Sequence, residues 1–151
     1  AAKIWKRAVE LGDVAAMSHL CRLYERGDGV KQDTAKSLQL LRMAAERGDA
    51  ISQFNYAKKL YQEDQEDSFA EAFHWYKRAA AQGLTAAETN LGCLYWSGKG
   101  VEADLDEAKR WFSRAAAKDD AAGISLLEKL DEMIREDIPL SLAFEHAGGG
   151  A

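Results

Sequence analysis

The chain has 151 residues, a mass of 16.7 kDa and a formal net charge of −5, about the size of one domain. Hydrophobic residues make up 47% and charged residues 30%, a composition typical of globular rather than disordered proteins. Lys and Arg runs are balanced by acids, which argues against a nucleic-acid partner, and no apolar stretch reaches the roughly 18 residues of a transmembrane helix. Alanine is frequent and β-branched residues are few, so an all-helical protein is predicted.

The predicted helices begin at the first residues of the chain. The chain starts at Ala1 rather than Met, and residues 1–11 form an amphipathic pattern instead of a hydrophobic leader. We therefore expect an excised or processed chain. The periodicity predicts seven further helices. Their expected bounds are 13–26, 33–47, 50–62, 68–82, 85–97, 104–118 and 120–136.

These helices belong to an internal repeat. Gly12, Gly48, Gly83 and Asp119 close equivalent segments, spaced 36, 35 and 36 residues apart. After the first three closing residues, small or apolar residues recur at steps of four, which places them on one helix face. These candidate core positions are Ala16, Leu20 and Tyr24, then Ser52, Tyr56 and Leu60, then Ala87, Leu91 and Tyr95. The sequence therefore predicts a repeated helix-turn-helix unit.

Loops and helix starts follow the same repeat. Gly-x-Gly-Val loops occur at residues 27–30 and 98–101, where glycine permits positive φ. Asp33 and Asp104 come after these loops at the expected helix N-caps, and Ser68-Phe-Ala-Glu71 has the spacing of a capping box. An acidic run at 63–67 replaces the glycine loop in the second unit, so we expect a different loop there.

Several segments together resemble the Sel-1-like repeat, a relative of the tetratricopeptide repeat. They are Ser52-Gln-Phe-Asn-Tyr-Ala57, Ala87-Glu-Thr-Asn-Leu-Gly-Cys-Leu-Tyr95, Gly98-Lys-Gly-Val101 with Asp104, and Ala108-Lys-Arg-Trp-Phe-Ser-Arg-Ala-Ala-Ala117. The resemblance covers residues 1 to about 122. It implies an all-α, right-handed α-solenoid that acts as a non-catalytic protein-interaction module.

The expected domain organisation is a solenoid over residues 1–137 and a tail over 138–151. The solenoid is divided into a partial unit 1–12, units 13–48, 49–83 and 84–119, and a capping helix 120–136. A cap is expected because Gly123, Leu127 and Asp131 depart from the repeat pattern, and terminal repeats are usually atypical. The tail contains Pro139 and ends in a glycine run.

The sequence contains no constellation that points to catalysis. His19, His74 and His146 lie apart and belong to no His-Glu-x-x-His motif. Cys21 occupies the close-packing position that Ala57 and Gly92 fill in the next units, so a small buried thiol is expected there. Cys93 is two repeats away, about 20 Å if helices stack about 10 Å apart, so two free thiols are predicted. We expect no enzyme activity, no cofactor and no metal site.

A candidate partner-binding strip lies opposite the predicted core stripe on the first helix of each unit. The opposite positions are Ser18, Arg22 and Glu25, then Phe54, Lys58 and Tyr61, then Thr89, Cys93 and Trp96. Tetratricopeptide-like superhelices use this stripe to line their concave face. The candidate binding residues are Phe54, Tyr61 and Trp96, flanked by Arg22, Arg26 and Lys58. The alternative is that these aromatic residues, Phe54 above all, pack against the neighbouring unit.

The sequence analysis ends with two functional hypotheses. The first is an adaptor or scaffold that binds a peptide with acidic and apolar residues, or a helix of a partner protein, on its concave face. The second is a structural or accessory subunit of a larger multiprotein assembly, suggested by the apolar tail residues Ile138, Leu140, Leu142 and Phe144. We expect Leu91→Ala to cost about 2 to 5 kcal/mol of stability through a buried cavity, whereas Trp96→Ala should leave stability almost unchanged.

Overall fold

The computed structural model describes residues 2–136, which contain eight helices and no strand. The helices are α1 (Ala2–Glu10), α2 (Val14–Arg26), α3 (Thr34–Glu46), α4 (Ala50–Gln62), α5 (Glu66–Ala81), α6 (Thr85–Ser97), α7 (Leu105–Ala116) and α8 (Ala121–Arg135). Each packs mainly against the helices that precede and follow it in the chain, the arrangement of an α-solenoid. The all-α solenoid prediction is therefore confirmed. The tail 138–151, with its four apolar residues and His146, lies outside the described residues.

The predicted helix bounds agree with the structure to within two residues. One predicted cap is wrong, namely the capping box that begins at Ser68. α5 begins at Glu66, so Ser68 is a buried residue inside the helix and does not start a capping box. Its hydroxyl donates a hydrogen bond to Glu63 Oε2 instead. The linker between α4 and α5 is only three residues long, and Asp64 within it has φ 54°. The second unit therefore has the different loop that the acidic run indicated.

The other predicted caps are confirmed. Oδ1 of Asp33 accepts a hydrogen bond from the backbone N–H of Lys36, and Oδ1 of Asp104 accepts one from Glu107, each at 3.1 Å. These bonds satisfy backbone donors that have no partner inside the helix.

The closing residue of each repeat has a left-handed backbone. Gly12, Gly48 and Gly83 have φ values of 85°, 95° and 87°, and Asp119 has φ 59°. Aspartate tolerates this region better than most side chains because its short polar group bonds locally. The four positions are thus structurally equivalent, as their spacing predicted.

The core consists of two clusters of buried residues. The larger one runs from α2 to α6 and includes the predicted stripe residues Leu20, Tyr56 and Leu91. The smaller one joins α6, α7 and α8 through Trp96, Ala108, Phe112 and Leu130. Tyr95, the last residue of the predicted stripe, is only half-buried and packs against both clusters.

Small residues let the helices approach closely. A Cβ added to Gly92 on α6 would lie 2.5 Å from the ring of Phe112 on α7. At the corresponding position on α2, Cys21 is buried with its Sγ atom 3.2 Å from Oγ of Ser37. Cys21 and Cys93 are both free thiols, so the predicted roles of the two cysteines are confirmed.

Candidate functional site

A groove opens on the face formed by α2, α4 and α6, the first helices of the three units. Its larger pocket has a volume of about 890 Å³ and lies between α2 and α4 over the floor that α3 provides. The wall residues include Ser18, Arg22 and Glu25 from α2 and Ile51, Asn55 and Lys58 from α4. Leu38 and Leu41 of α3 contribute to the floor.

A smaller pocket of about 350 Å³ continues the groove between α4 and α6. It is lined by Lys58, Tyr61, Gln62, Tyr76, Asn90, Cys93, Leu94 and Ser97. Lys58 and Gln62 line both pockets, so the two volumes adjoin. Most residues of the larger lining are polar or charged, whereas the smaller pocket presents mainly apolar surface. A concavity that combines apolar surface with polar groups has the form of a binding site.

The carboxylates of the larger pocket have partners within the chain. Glu25 forms an ion pair with Lys59 at 3.1 Å, a contact that bridges α2 and α4. Asp49 caps α4 by accepting the backbone N–H of Ser52 at 2.9 Å. The third carboxylate of this lining, Glu63, accepts the hydroxyl of the buried serine in α5.

Two cations of the same pocket have no such partner. Within residues 2–136, Arg22 and Lys58 form no ion pair and donate no hydrogen bond. The Lys58 ammonium instead lies 5.6 Å from the ring centroid of Phe54, within range of a cation–π interaction. Both cations are exposed, so their N–H groups are available to a ligand.

The smaller pocket is neutral except for Lys58. Burial raises the pKa of the Cys93 thiol to about 11 and that of the Tyr76 phenol to about 12. Both groups are therefore protonated near neutral pH, and the Cys93 thiol is a poor nucleophile. Beside this pocket, Lys99 Nζ donates a hydrogen bond to the Tyr61 hydroxyl at 3.3 Å and lies 5.3 Å from its ring centroid.

The structure brings three of the six predicted binding residues together in the groove. Arg22 lies in the larger pocket, Tyr61 in the smaller one and Lys58 in both. Phe54 is half-buried, and its ring centroid lies 5.8 Å from that of Tyr76 on α5, so it packs inside its own unit and not against the neighbouring unit that the alternative interpretation named. Arg26 is exposed but is not part of either lining.

The predicted exposure of Trp96 is wrong. Its side chain is 0% exposed, and its ring centroid lies 6.0 Å from that of Phe112. Thr89, from the same stripe, is also buried and donates a hydrogen bond to Asp120 at 3.2 Å. The physical reason is α8, which packs beside α7 and covers this end of the α6 face, with Leu130 in the same buried cluster as Trp96.

Sequence reasoning missed several lining residues, chiefly Tyr76, Leu94 and Ile51. Ile51 is 61% exposed at the wall of the larger pocket. A signal for Ile51 was present, because the equivalent positions of the other units carry alanine, at Ala15, Ala86 and Ala122. Tyr76 and Leu94 gave no such signal, since they belong to the apolar patterns of their own helices.

The described part of the chain holds no group of three His, Cys, Asp or Glu side chains arranged to bind a metal. His19 instead packs against the ring of Trp5, with 4.2 Å between centroids. None of the helices from α1 to α8 combines the length and the apolarity that crossing a membrane requires.

Two solved structures are similar to this fold. A Sel1 repeat protein from Oxalobacter formigenes matches with a TM-score of 0.75 and 33% identity, over 83% of this chain and 96% of that one. A protective antigen of uropathogenic Escherichia coli that displays an SLR fold matches with a TM-score of 0.73 and 30% identity, over 83% of this chain and 27% of that one.

Curated relatives include the chitin synthase regulator SKT5 from two fungi. The Saccharomyces cerevisiae protein is 32% identical over 139 residues, and the Malassezia restricta protein is 32% identical over 150 residues. These alignments cover 87% and 93% of this chain but only 19% and 10% of the relatives. The Sel1 repeat model itself matches residues 14–49, 50–84 and 85–120. The chain therefore belongs to the Sel1 repeat family.

Proposed function

We propose that this chain is a non-catalytic adaptor that binds a peptide or helix of a partner protein in the groove across α2, α4 and α6. Sel1 repeats form protein–protein interaction modules, and the groove is the location that we propose for this role. The observation that carries the proposal is the pair of adjoining pockets, which share Lys58 and carry two exposed cations, Arg22 and Lys58, that form no ion pair and donate no hydrogen bond within residues 2–136.

The groove is suited to binding because its walls are held in place before a ligand arrives. Leu91 and Ala87 fix α6 in the core, Tyr56 and Leu60 fix α4, and the Glu25–Lys59 ion pair spans the gap between α2 and α4. A preformed site loses little conformational freedom on binding. An extended segment or a helix laid across the helix row would contact both pockets at once.

The fungal relatives support a regulatory setting for this adaptor. Both are chitin synthase regulators, and this chain corresponds to a small part of each. We propose that the repeat segment supplies the partner-binding surface of a longer regulatory protein, while other parts of such a protein perform other tasks.

The second candidate function is an accessory subunit built into a larger assembly. Ile4 on α1 and Leu11 after it are 72% and 74% exposed, which is unusual for large apolar side chains and typical of contact surfaces. In this case the partner would contact α1 and leave the groove open.

A displayed library of random peptides tests the first candidate. The wild-type chain and the Asn55→Trp variant are screened in parallel against this library. Asn55 is an exposed lining residue of the larger pocket, so the tryptophan places a bulky ring there. The matched control is Gln39→Trp, an equally exposed substitution on α3 outside both pockets. Circular dichroism checks that both variants fold.

The expected result is a set of peptides that bind the wild-type chain and the control but not Asn55→Trp. If no peptide depends on the groove, and Ile4→Ser or Leu11→Ser instead disrupts complexes formed in the native source, the accessory-subunit function replaces the adaptor function.

A further inference from the structure

We propose that the groove preferentially binds peptide segments in which a large apolar side chain is flanked by carboxylates. The apolar side chain enters the smaller pocket, and carboxylates bind Lys58 and Arg22. This inference rests on the proposed function and adds the chemistry of the ligand.

The apolar side chain is indicated by the size and lining of the smaller pocket. Its volume of about 350 Å³ is at the lower end for ligand pockets, which fits one large side chain rather than a whole small molecule. Tyr61, Tyr76 and Leu94 supply its apolar surface, while Asn90 is engaged with the Tyr76 hydroxyl. A Phe or Leu side chain would displace water from this surface and contact the two tyrosine rings.

The carboxylate is indicated by the charges around that pocket. Lys58 is the one charged residue of its lining, and none of the lining residues is acidic. A second cation, Lys99, lies 5.1 Å from the ring centroid of Phe69 and bonds the hydroxyl of Tyr61 on the pocket wall. An acidic group beside the seated apolar side chain would thus meet positive charge, whereas a basic group would be repelled.

Arg22 extends the same preference into the larger pocket. The three acidic residues of that lining already accept hydrogen bonds or form ion pairs within the chain. Arg22 has a planar guanidinium that can bind a carboxylate through two parallel hydrogen bonds. A segment that passes from the smaller to the larger pocket therefore meets Lys58 first and Arg22 next.

Fluorescence anisotropy with three labelled synthetic peptides of equal length tests this inference. The reference peptide has a central Phe flanked by two Glu residues on each side in a Ser/Gly background. The second peptide replaces every Glu by Lys, and the third replaces the Phe by Ser. We expect the reference peptide to bind at least about tenfold more tightly than the second or the third peptide. Its affinity should fall as the salt concentration is raised.

Matched variants of the protein assign the contacts. Lys58→Glu should weaken binding of the reference peptide about tenfold or more, whereas Lys77→Glu should not. Lys77 makes an equivalent contact with a ring, 5.9 Å from the centroid of Phe73 on α5, away from the groove. Ser97→Phe fills the smaller pocket and should remove the preference for Phe over Ser, whereas Ser113→Phe on α7 should keep it.

The inference is overturned if the Glu and Lys peptides bind with equal affinity, or if the reference peptide does not bind at all. It is also overturned if the reference peptide binds the Lys58→Glu and Ser97→Phe variants as tightly as it binds the wild-type chain. None of these results removes the groove function, which fails separately if the random library yields no peptide that depends on Asn55.

Discussion

The first and the last junctions of the solenoid use the same two repeat positions in opposite ways. Between the first two units, Glu25 on α2 and Lys59 on α4 form an exposed ion pair at 3.1 Å. Between the third unit and α8, Trp96 and Leu130 occupy the equivalent positions and are both 0% exposed. One junction is therefore a solvated surface, and the other is a dry core.

The middle junction is intermediate. Its equivalent residues are Tyr61 on α4 and Leu94 on α6, which line the smaller pocket of the groove. Tyr61 is half-buried there and Leu94 is 3% exposed, and α8 does not cover this pair. The comparison teaches that one repeated backbone can present a surface, a pocket or a core, depending on two side chains and on the element that follows.

Each unit carries a second repeated contact, made by the residue just before its own closing residue. Arg47, Gln82 and Lys118 each donate a hydrogen bond to the carbonyl of the preceding unit's closing glycine, at 3.2, 2.9 and 2.8 Å. Within their own units, Gln82 also binds the side chain of Gln53 at 2.9 Å, and Lys118 binds the buried carboxylate of Glu88 at 2.6 Å. In unit 13–48 the residue equivalent to Gln53 and Glu88 is the apolar Met17. Polarity at this position therefore increases from unit to unit, while the junction positions become apolar.

The largest expected effect is at the closed junction. Trp96→Ala should lower the free energy of unfolding by about 3 to 5 kcal/mol, because it leaves a cavity between α6, α7 and α8. Leu91 is also fully buried. The variant Leu91→Ala serves as the reference and should lower the free energy of unfolding by about 2 to 5 kcal/mol. Tyr61→Ala at the equivalent, half-buried position should cost clearly less. Urea unfolding followed by circular dichroism measures all three, and a cost below about 1 kcal/mol for Trp96→Ala would contradict the closed junction.

The ion pair of the buried Glu88 carboxylate, inside unit 84–119, should give the next largest effect. Lys118→Ala leaves this carboxylate, 0% exposed, with Arg114 at 3.6 Å as its one remaining ion-pair partner among the described residues, and should cost about 3 kcal/mol. The double variant Glu88→Gln with Lys118→Gln reproduces the Gln53–Gln82 contact of unit 49–83 and should recover most of the loss. If the double variant is as unstable as the single one in thermal unfolding, the contacts of the two units are not interchangeable.

Alkaline pH should act on the pocket of the middle junction. Burial raises the pKa of Cys93 from its usual 9.0 to about 11, so above pH 9 the unfolded thiol loses a proton that the folded protein retains. The stability contributed by this group is complete below pH 9 and is lost as the pH rises towards 11, by about 3 kcal/mol at most. Chemical denaturation between pH 8 and 11 measures the slope, and Cys93→Ala should reduce it; an unchanged slope would exclude this thiol as the cause.

The smallest expected effect is at the open junction. A double-mutant cycle with Glu25→Gln and Lys59→Gln should give a coupling energy of about 0 to 1 kcal/mol, since both side chains are exposed. The coupling should disappear at about 1 M salt because the charges are then screened. A coupling above about 2 kcal/mol, or one that salt leaves unchanged, would mean that this junction is closed like the last one.

The local features of the chain were predictable from its sequence. Asp33 and Asp104 were identified as helix caps, Cys21 as a small buried residue, and the stripe through Leu20, Tyr56 and Leu91 as core. Each of these follows from a spacing of a few residues on one helix. Three of the groove residues, Arg22, Lys58 and Tyr61, were found by the same periodicity, because the face opposite a buried stripe is the face open to a partner.

The groove as a whole was less predictable, since its walls come from different repeats. Tyr76 and Leu94 lie on α5 and α6, and nothing in their own helices distinguishes them from core residues. The exposure of Trp96 was wrongly predicted because its own helix face points away from the local core. The helix that covers it, α8, begins 25 residues later in the chain.

The sequence by itself determined the repeat, the helix bounds to within two residues, the caps of α3 and α7 and the stacking order, because these depend on local periodicity and on close-packing residues such as Gly92. Only the tertiary structure decided which equivalent positions are exposed, pocket-lining or buried. Whether Glu25, Tyr61 or Trp96 meets water depends on the residue that the next unit brings opposite it and on whether a terminal helix covers the pair.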